Sequence, residues 1–406
     1  MTGAPESSSA TLILADSTPE AQTSISPGTS LLGLPLLRRA ALAAFRAGFD
    51  RVYVLGSDAQ RDLSLLEGTL ASPFPRELAE SSLPAGRIVL LSNRIAAEPR
   101  GLRSLRLTPA EPERLHRIDA GAIVETREPR RLVGSLTRQS LLPSILSDWA
   151  AVLPEASSPF GADSPAEVTS PSELAAAETT LLRSLVKEED GFLARHVNRR
   201  ISLAVTRRLA GTNVSPNAMT AVSVGLGLWA AGCFLSPVLP RQIAGGILFL
   251  LHSILDGCDG ELARLKFQES RLGGTLDFWG DNLVHAAVFS AFAVAWSTAS
   301  RQAWPLALGA LAVLGTLLSA VFVYVQVMRP KKGDGPLFTS VARSQPSRLS
   351  QVTDALARRD FIYLVLLLGV FGKAYWFLAL AAVGTPTFFL VLLAVAFDRR
   401  QLRQAS

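Results

Sequence analysis

Two hydrophobic rhythms divide this chain. Beyond about residue 216, apolar residues run together near 217–237, 241–264, 275–298, 303–328, 361–373 and 375–397. A helix needs about 20 mainly apolar residues to cross the hydrocarbon core of a bilayer, so the pattern predicts six membrane-spanning helices. The last two share one run, with Gly372-Lys373 as the predicted break and Gly384-Thr385-Pro386 as the alternative. Ahead of these runs the rhythm is shorter. Residues 11–15, 51–55, 87–91 and 122–125 read as strands, and 35–47 has the apolar spacing of a helix. Strands alternating with helices predict an α/β domain with a doubly wound parallel sheet. Residues 153–176 are rich in Pro, Ser, Glu and Ala and predict a linker. Residues 177–216 mix Phe192, Leu193, Ile201, Leu203 and Val205 with several arginines, predicting an amphipathic juxtamembrane helix suited to an anionic membrane face. The expected plan is thus an α/β domain over 1–152, a linker over 153–176, the amphipathic helix over 177–216 and an all-α six-helix transmembrane domain over 217–400.

Composition sharpens this division without changing it. Hydrophobic residues make up 49% of the 406, and almost all of the long runs lie in the second half. The two cysteines, Cys233 and Cys258, suggest neither a disulfide framework nor a zinc site, which fits a reducing, cytoplasmic setting. The first thirty residues hold no basic segment leading into an apolar core, so no cleaved signal peptide is expected. Charge sets an orientation. Arginines at 199, 200, 207 and 208, then Lys266 and Arg271, then the basic run from Arg329, then Arg399, Arg400 and Arg403 fall on one side of six crossings; only Arg241, Arg301 and Lys373 fall on the other. The positive-inside rule then predicts a multi-pass protein of the cytoplasmic membrane with both termini in the cytoplasm.

Against that apolar background the acidic residues stand out. Asp256, Asp259, Asp277 and Asp281 lie in or beside the second and third predicted spans. An ionisable residue at the centre of a membrane helix costs roughly 2.5–3.5 kcal/mol on insertion scales, so such a group implies bound cations, paired charges or a wet cavity. Residues three, four and seven apart share a helix face, which aligns Asp256, Asp259, Gly260 and Ala263 on one helix and Asp277 with Asp281 on the next. Facing helices would offer four hard oxygen ligands, the preference of Mg2+ or Mn2+, leaving positions for phosphate oxygens. Gly260 and Ala263 are small enough for a diphosphate to approach the backbone, and Arg264 supplies a planar cation for phosphate or carboxylate.

The full pattern is Asp256-x2-Asp259-Gly260-x2-Ala263-Arg264-x8-Gly273-x3-Asp277-x3-Asp281, and it resembles the signature of the CDP-alcohol phosphotransferase family at every fixed position. Chance agreement at a given start has odds on the order of one in a billion. The resemblance implies an integral membrane enzyme that moves a substituted phosphate from a CDP-alcohol to a second alcohol and releases CMP. It implies two divalent ions held by Asp256, Asp259, Asp277 and Asp281, with Asp281 also acting as general base. Gly260, Ala263, Arg264 and Gly273 would then serve the CDP group, with Arg264 steadying a phosphate or carboxylate during the reaction. Pro216-Asn217-x2-Thr220 resembles the family's opening to the first span, adding Asn217 and Thr220 to the nucleotide side. The basic run at Arg329 and Lys331 is a candidate for an acceptor phosphate, although flanking charges also serve orientation. His252 and His285, close to the signature, read first as packed helix residues. Family members are commonly homodimeric, and no nucleic acid is an expected partner.

The N-terminal part also bears a resemblance. Residues 32–37, the helix after them and the strand at 51–55 resemble the opening of nucleotidyltransferases that make sugar or inositol nucleotides, a domain fused to CDP-alcohol phosphotransferases in bifunctional enzymes that make CDP-inositol and condense it with inositol phosphate. The glycine-rich phosphate loop expected after the first strand is missing, because residues 16–30 contain one glycine and no lysine or arginine. The expectation is a degenerate, catalytically silent nucleotidyltransferase-like domain. Two donor classes stay open, a polar CDP-alcohol such as CDP-inositol and CDP-diacylglycerol with a phosphorylated polyol acceptor. A non-catalytic membrane scaffold is the remote third reading.

Overall fold

The computed structural model describes residues 9–18, 24–56, 59–74, 83–138, 141–160, 164–186, 197–329 and 361–404. The chain divides into two compact units, Met1–Arg183 and Ser184–Ser406.

The first unit is built on a seven-stranded mixed sheet. Its strands are β1 (Ser9–Ala15), β4 (Arg51–Leu55), β5 (Ser72–Pro73), β6 (Gly86–Ser92), β7 (Leu115–Ile118), β8 (Gly121–Thr126) and β9 (Glu155–Ala156), in the order β5-β4-β1-β6-β8-β7-β9. The short strands β2 (Ser30–Leu31) and β3 (Leu34–Pro35) form a separate hairpin. The described helices are α1 (Leu36–Ala47), α2 (Ala59–Leu65), α3 (Pro99–Leu107), α4 (Arg130–Arg138), α5 (Leu142–Val152) and α6 (Pro171–Ser184). Ile13, Leu90 and Val124 point into a core with Leu136, Ile145 and Trp149 of α4 and α5, and Trp149 donates its indole N–H to Ser135 Oγ at 2.8 Å. Their strand neighbours Leu12, Leu14 and Val89 face the other way and are also fully buried, so both faces of the central strands are covered.

The α/β reading holds, but the doubly wound parallel sheet does not. Pairing is parallel from β5 through β6; β8 then runs antiparallel to both β6 and β7. The cause is local. Only Asp119 and Ala120 separate β7 from β8, and a parallel pair needs a crossover of a dozen or more residues. The expected linker is also partly built into this unit. Glu155 and Ala156 extend the sheet beside β7, Glu167 bridges Ile95, and Val168 is buried. A capping box then starts α6. Ser170 Oγ accepts from the Glu173 N–H at 3.3 Å, and Glu173 Oε2 accepts from the Thr169 N–H at 2.7 Å and the Ser170 N–H at 3.3 Å. Those bonds, the Thr169 backbone N–H first, hold the Glu173 carboxyl below its ordinary value.

The second unit is helical: α7 (Arg199–Ala210), α8 (Pro216–Phe234), α9 (Leu239–Lys266), α10 (Arg271–Ser300), α11 (Trp304–Val323) continued by a π turn (Tyr324–Met328), α12 (Phe361–Val370), a 3-10 turn (Ala374–Trp376) and α13 (Phe377–Gln404). Of the expected helix over 177–216, residues 177–184 lie in α6 and 199–210 form α7, while 187–196 lie outside the described residues. Among the described residues five helices are long and apolar enough to cross a membrane, not six. The exception is α12, whose ten residues span about 15 Å against a hydrocarbon core of about 30 Å. The final break falls at Gly372, whose φ of +65° suits glycine, and Pro386 sits within a continuous α13. The apolar core gathers Phe234, Phe249, Val284, Val288 and Phe292 with Tyr375 and Leu378.

Candidate active site

Each helix end at the site has a local reason to be there. Ser215 caps α8, accepting from the Ala218 N–H at 3.2 Å with Pro216 in the first turn. Ser270 caps α10 in the same way, accepting from the Gly273 N–H at 3.0 Å. Between α9 and α10, Phe267 adopts the left-handed conformation that ends α9, so the chain reverses within a few residues and the two aspartate-bearing helices run side by side.

The reversal brings the acids together. One carboxylate oxygen each from Asp256, Asp277 and Asp281 lies within 4.8 Å of the others, Asp256 being buried and the other two half-buried. Three like charges this close repel unless a cation is shared. An ion bonded at 2.0–2.1 Å holds two oxygens about 3 to 4.2 Å apart, so the three carboxylates would draw inward to share Mg2+. The residues therefore fit a hard divalent ion. Asp259 is held differently: Thr220 donates its hydroxyl to Oδ2, and the Gly260 N–H donates to Oδ1.

A cavity of about 650 Å3 opens beside this cluster. Asn217, Thr220, Asp259, Gly260, Ala263 and Arg264 line one side, and Gly273, Asp277 and Asp281 the other. The two sequence motifs meet there, because a Cβ added at Gly273 would lie 2.8 Å from Asn217 Oδ1. Asp256 contributes to the carboxylate cluster without lining the cavity. Arg329 is exposed and does not line the cavity; its carbonyl accepts from Arg271 Nη2 at 2.8 Å. Lys331 lies outside the described residues.

Other residues enter that the spacing did not single out. Gln268, Glu269 and Asn282 line the polar part of the cavity. Asn282 follows Asp281 directly, but only helix packing shows that it turns inward. His285 is on the wall, its ring stacked on Phe289. His252 is buried beside the site, with Nδ1 at 2.9 Å from the Ser223 carbonyl and Nε2 at 3.9 Å from Asp281 Oδ1. The far end of the cavity is apolar, walled by Phe289 of α10, Phe361 of α12, and Phe377, Leu380 and Phe388 of α13.

The family model for CDP-alcohol phosphatidyltransferase matches residues 213–344. A bifunctional IPC transferase and DIPP synthase of Thermococcus kodakarensis is 39% identical over 153 residues, which is 37% of this chain and 34% of that protein. A protein of the same description from Rubrobacter xylanophilus is 37% identical over 154 residues, 36% of this chain and 34% of that protein. An archaetidylinositol phosphate synthase of Pyrococcus horikoshii is 32% identical over 90 residues, 22% of this chain and 46% of that protein. The matched stretches thus span about a third to a half of the length of these relatives. Among solved structures, Mycobacterium tuberculosis phosphatidylinositol phosphate synthase with CDP-DAG bound aligns at a TM-score of 0.33 and 19% identity, covering 47% of this chain and 92% of that one. Residues 213–344 of this chain, which carry all four aspartates, are a CDP-alcohol phosphatidyltransferase domain.

Proposed function

We propose that this chain is a membrane enzyme that transfers a substituted phosphate from a CDP-alcohol to the hydroxyl of an acceptor alcohol, releasing CMP. The observation that carries this reading is the convergence of Asp256, Asp277 and Asp281 within 4.8 Å beside a cavity, inside the stretch that matches the family. In the reaction the acceptor oxygen bonds to the β-phosphorus, the phosphoanhydride bond breaks, and CMP leaves with the bridging oxygen. Asp281 takes the hydroxyl proton, which a carboxylate can do only within hydrogen-bond reach of the acceptor. Arg264 pairs with a phosphate oxygen through its planar fork, and Asn217 and Thr220 border the nucleotide side. Asp256, Asp277 and Asp281 would hold a divalent ion such as Mg2+ or Mn2+, with Asp259 adjoining a second, and such ions neutralise charge on the diphosphate when bound.

Two donor classes have support. Relatives described as bifunctional IPC transferase and DIPP synthase favour an inositol-bearing donor and an inositol phosphate acceptor. The apolar far end of the cavity favours a lipid alcohol such as CDP-diacylglycerol. CMP release from each donor in parallel, with Mg2+ or Mn2+ and inositol phosphate, separates them, and Asp277→Ala is the control. No CMP from either donor, with no metal-dependent CDP binding, would shift the reading to a non-catalytic scaffold.

The rest of the reading concerns setting. The exposed side of α7 carries Arg200, Arg207 and Arg208 around Ile201, which supports contact with anionic headgroups. The site would open to the cytoplasm, with both termini there if α12 belongs to a sixth crossing. The α/β unit would be silent in nucleotidyl transfer, which CDP-inositol formation from CTP and inositol phosphate would refute. A homodimer follows from the family resemblance and is checked by the mass of the solubilised protein.

A further inference from the structure

Glu261 occupies a position the aspartate signature leaves open, between Gly260 and Ala263. It is fully buried and absent from the cavity wall. A buried carboxylate survives in an apolar setting only when its oxygens are satisfied. Here both are. Oε1 accepts from Arg199 Nη1 at 2.8 Å and from Ser202 Oγ at 2.8 Å, and Oε2 accepts from Thr206 Oγ1 at 2.7 Å. The three donors sit three and seven residues apart, on one stripe of α7. Gly257, one turn before Glu261, clears the path: a Cβ there would meet Arg199 Nη1 at 3.0 Å. Glycine in a helix interior is unfavourable, and this one admits the guanidinium. Cys258 and Leu262 complete the contact, packed with Met219 and with Val205 and Leu209 of α7.

Helical spacing puts these residues on the back of α9 and Asp259, Gly260, Ala263 and Arg264 on the cavity side. A carboxylate about 6 Å from the helix axis moves by about 1 Å when the helix turns by about 10°. A displacement of that size at a reacting centre can cost about a hundredfold in rate. We propose that Glu261 is a positioning residue, whose clamp to α7 sets the rotation of α9 that aims Asp256, Asp259 and Arg264 at the reaction. The inference rests on the phosphotransfer reading for its consequence in rate, and on the hydrogen bonds alone for its geometry.

The test uses the full chain in detergent with three variants. Thr206→Val removes one donor at nearly constant volume, and Glu261→Gln removes the charge. Lys266→Met is the comparison, because Lys266 Nζ ties the same helix to the Thr212 and Val214 carbonyls at 2.7 and 2.9 Å without reaching the cavity. Turnover and KM for the donor, Mn2+ affinity by electron paramagnetic resonance, and thermal unfolding are measured on each. Thr206→Val and Glu261→Gln are expected to lower kcat about tenfold with donor KM within about twofold, and to weaken Mn2+ binding. Lys266→Met is expected to lower the unfolding temperature while leaving kcat and Mn2+ affinity near those of the parent. Parent-like kcat and Mn2+ affinity in Thr206→Val would overturn the proposal, as would losses in all three variants that merely track thermal stability. Should Glu261→Gln fail to fold, Thr206→Val decides alone. If the parent releases no CMP from either donor and shows no metal-dependent CDP binding, the phosphotransfer reading fails, and Mn2+ affinity still tests the positioning.

Discussion

Replacing Gly273 by alanine probes the point where two separate sequence motifs touch. The added Cβ would lie 2.8 Å from Asn217 Oδ1 and 3.0 Å from Ser270 Oγ. Carbon–oxygen contacts settle near ~3.3 Å, so the Asn217 amide must retreat by about 0.5 Å. Overpacking of this kind costs about 1–3 kcal/mol, while alanine returns about 1 kcal/mol of helix propensity. The expected change in stability is therefore small, from about zero to 2 kcal/mol destabilising. Activity should fall whether or not stability does. Loss of one hydrogen bond to the nucleotide is worth about 1 kcal/mol, so kcat/KM for the CDP-alcohol is expected to drop about fivefold to tenfold. A double-mutant cycle with Asn217→Ala isolates the contact. Once the amide is gone, Gly273→Ala should cost little more, giving a coupling of about 1 kcal/mol. Equal losses in both backgrounds would refute the argument that Gly273 is small for the sake of Asn217.

Four further outcomes are expected. Asp281→Asn should abolish CMP release with little change in thermal unfolding, and full activity in that variant would refute its role as base. Thr220→Val, which removes the hydroxyl that donates to Asp259 Oδ2, should reduce kcat/KM about tenfold, and parent-like kinetics would show that the bond does not orient Asp259. Arg87 donates to the carbonyls of Leu105, Arg106 and Thr108 and pairs with Glu125, so Arg87→Met should destabilise the α/β unit by about 3 kcal/mol, seen as faster amide exchange over β6 and β8. Because Glu173 has a depressed pKa, its capping contribution is complete above the ordinary value of 4.5 and is lost as pH falls through the lower folded value. Amide protection at Thr169 and Ser170 should decline over that acidic window and hold steady from pH 5 to 7, a window that Glu173→Gln should erase.

How much of this was readable in advance follows from the range of the forces involved. Residues 51–55 and 87–91 were legible as strands because β-branched runs carry their own signal, and the structure returns Arg51–Leu55 and Gly86–Ser92. The long apolar runs were legible because bilayer thickness sets a length that no tertiary contact alters. The signature showed which aspartates to watch, since helical periodicity already puts Asp277 and Asp281 on one face. Strand β7 escaped notice because Leu115-His116-Arg117-Ile118 is short and half polar, and without it the antiparallel turn of the sheet was invisible. Residues 153–176 read as a linker by composition, yet Val168 and the bridge at Glu167 tie them to the sheet.

Local pattern thus determined the division into an α/β part and an apolar helical part, the approximate positions of the four longest strands, of α1 and of the long apolar helices, and the identity of the acidic residues. Only the tertiary structure decided that Asp256 joins Asp277 and Asp281 while Asp259 bonds to Thr220, that Asn217 rests against Gly273, and that Glu261 turns away from the cavity to hold α7. The physical reason is that periodicity assigns a residue to a face of its own helix, whereas the partner that face meets depends on crossing angle, helix rotation and side-chain volume in distant segments.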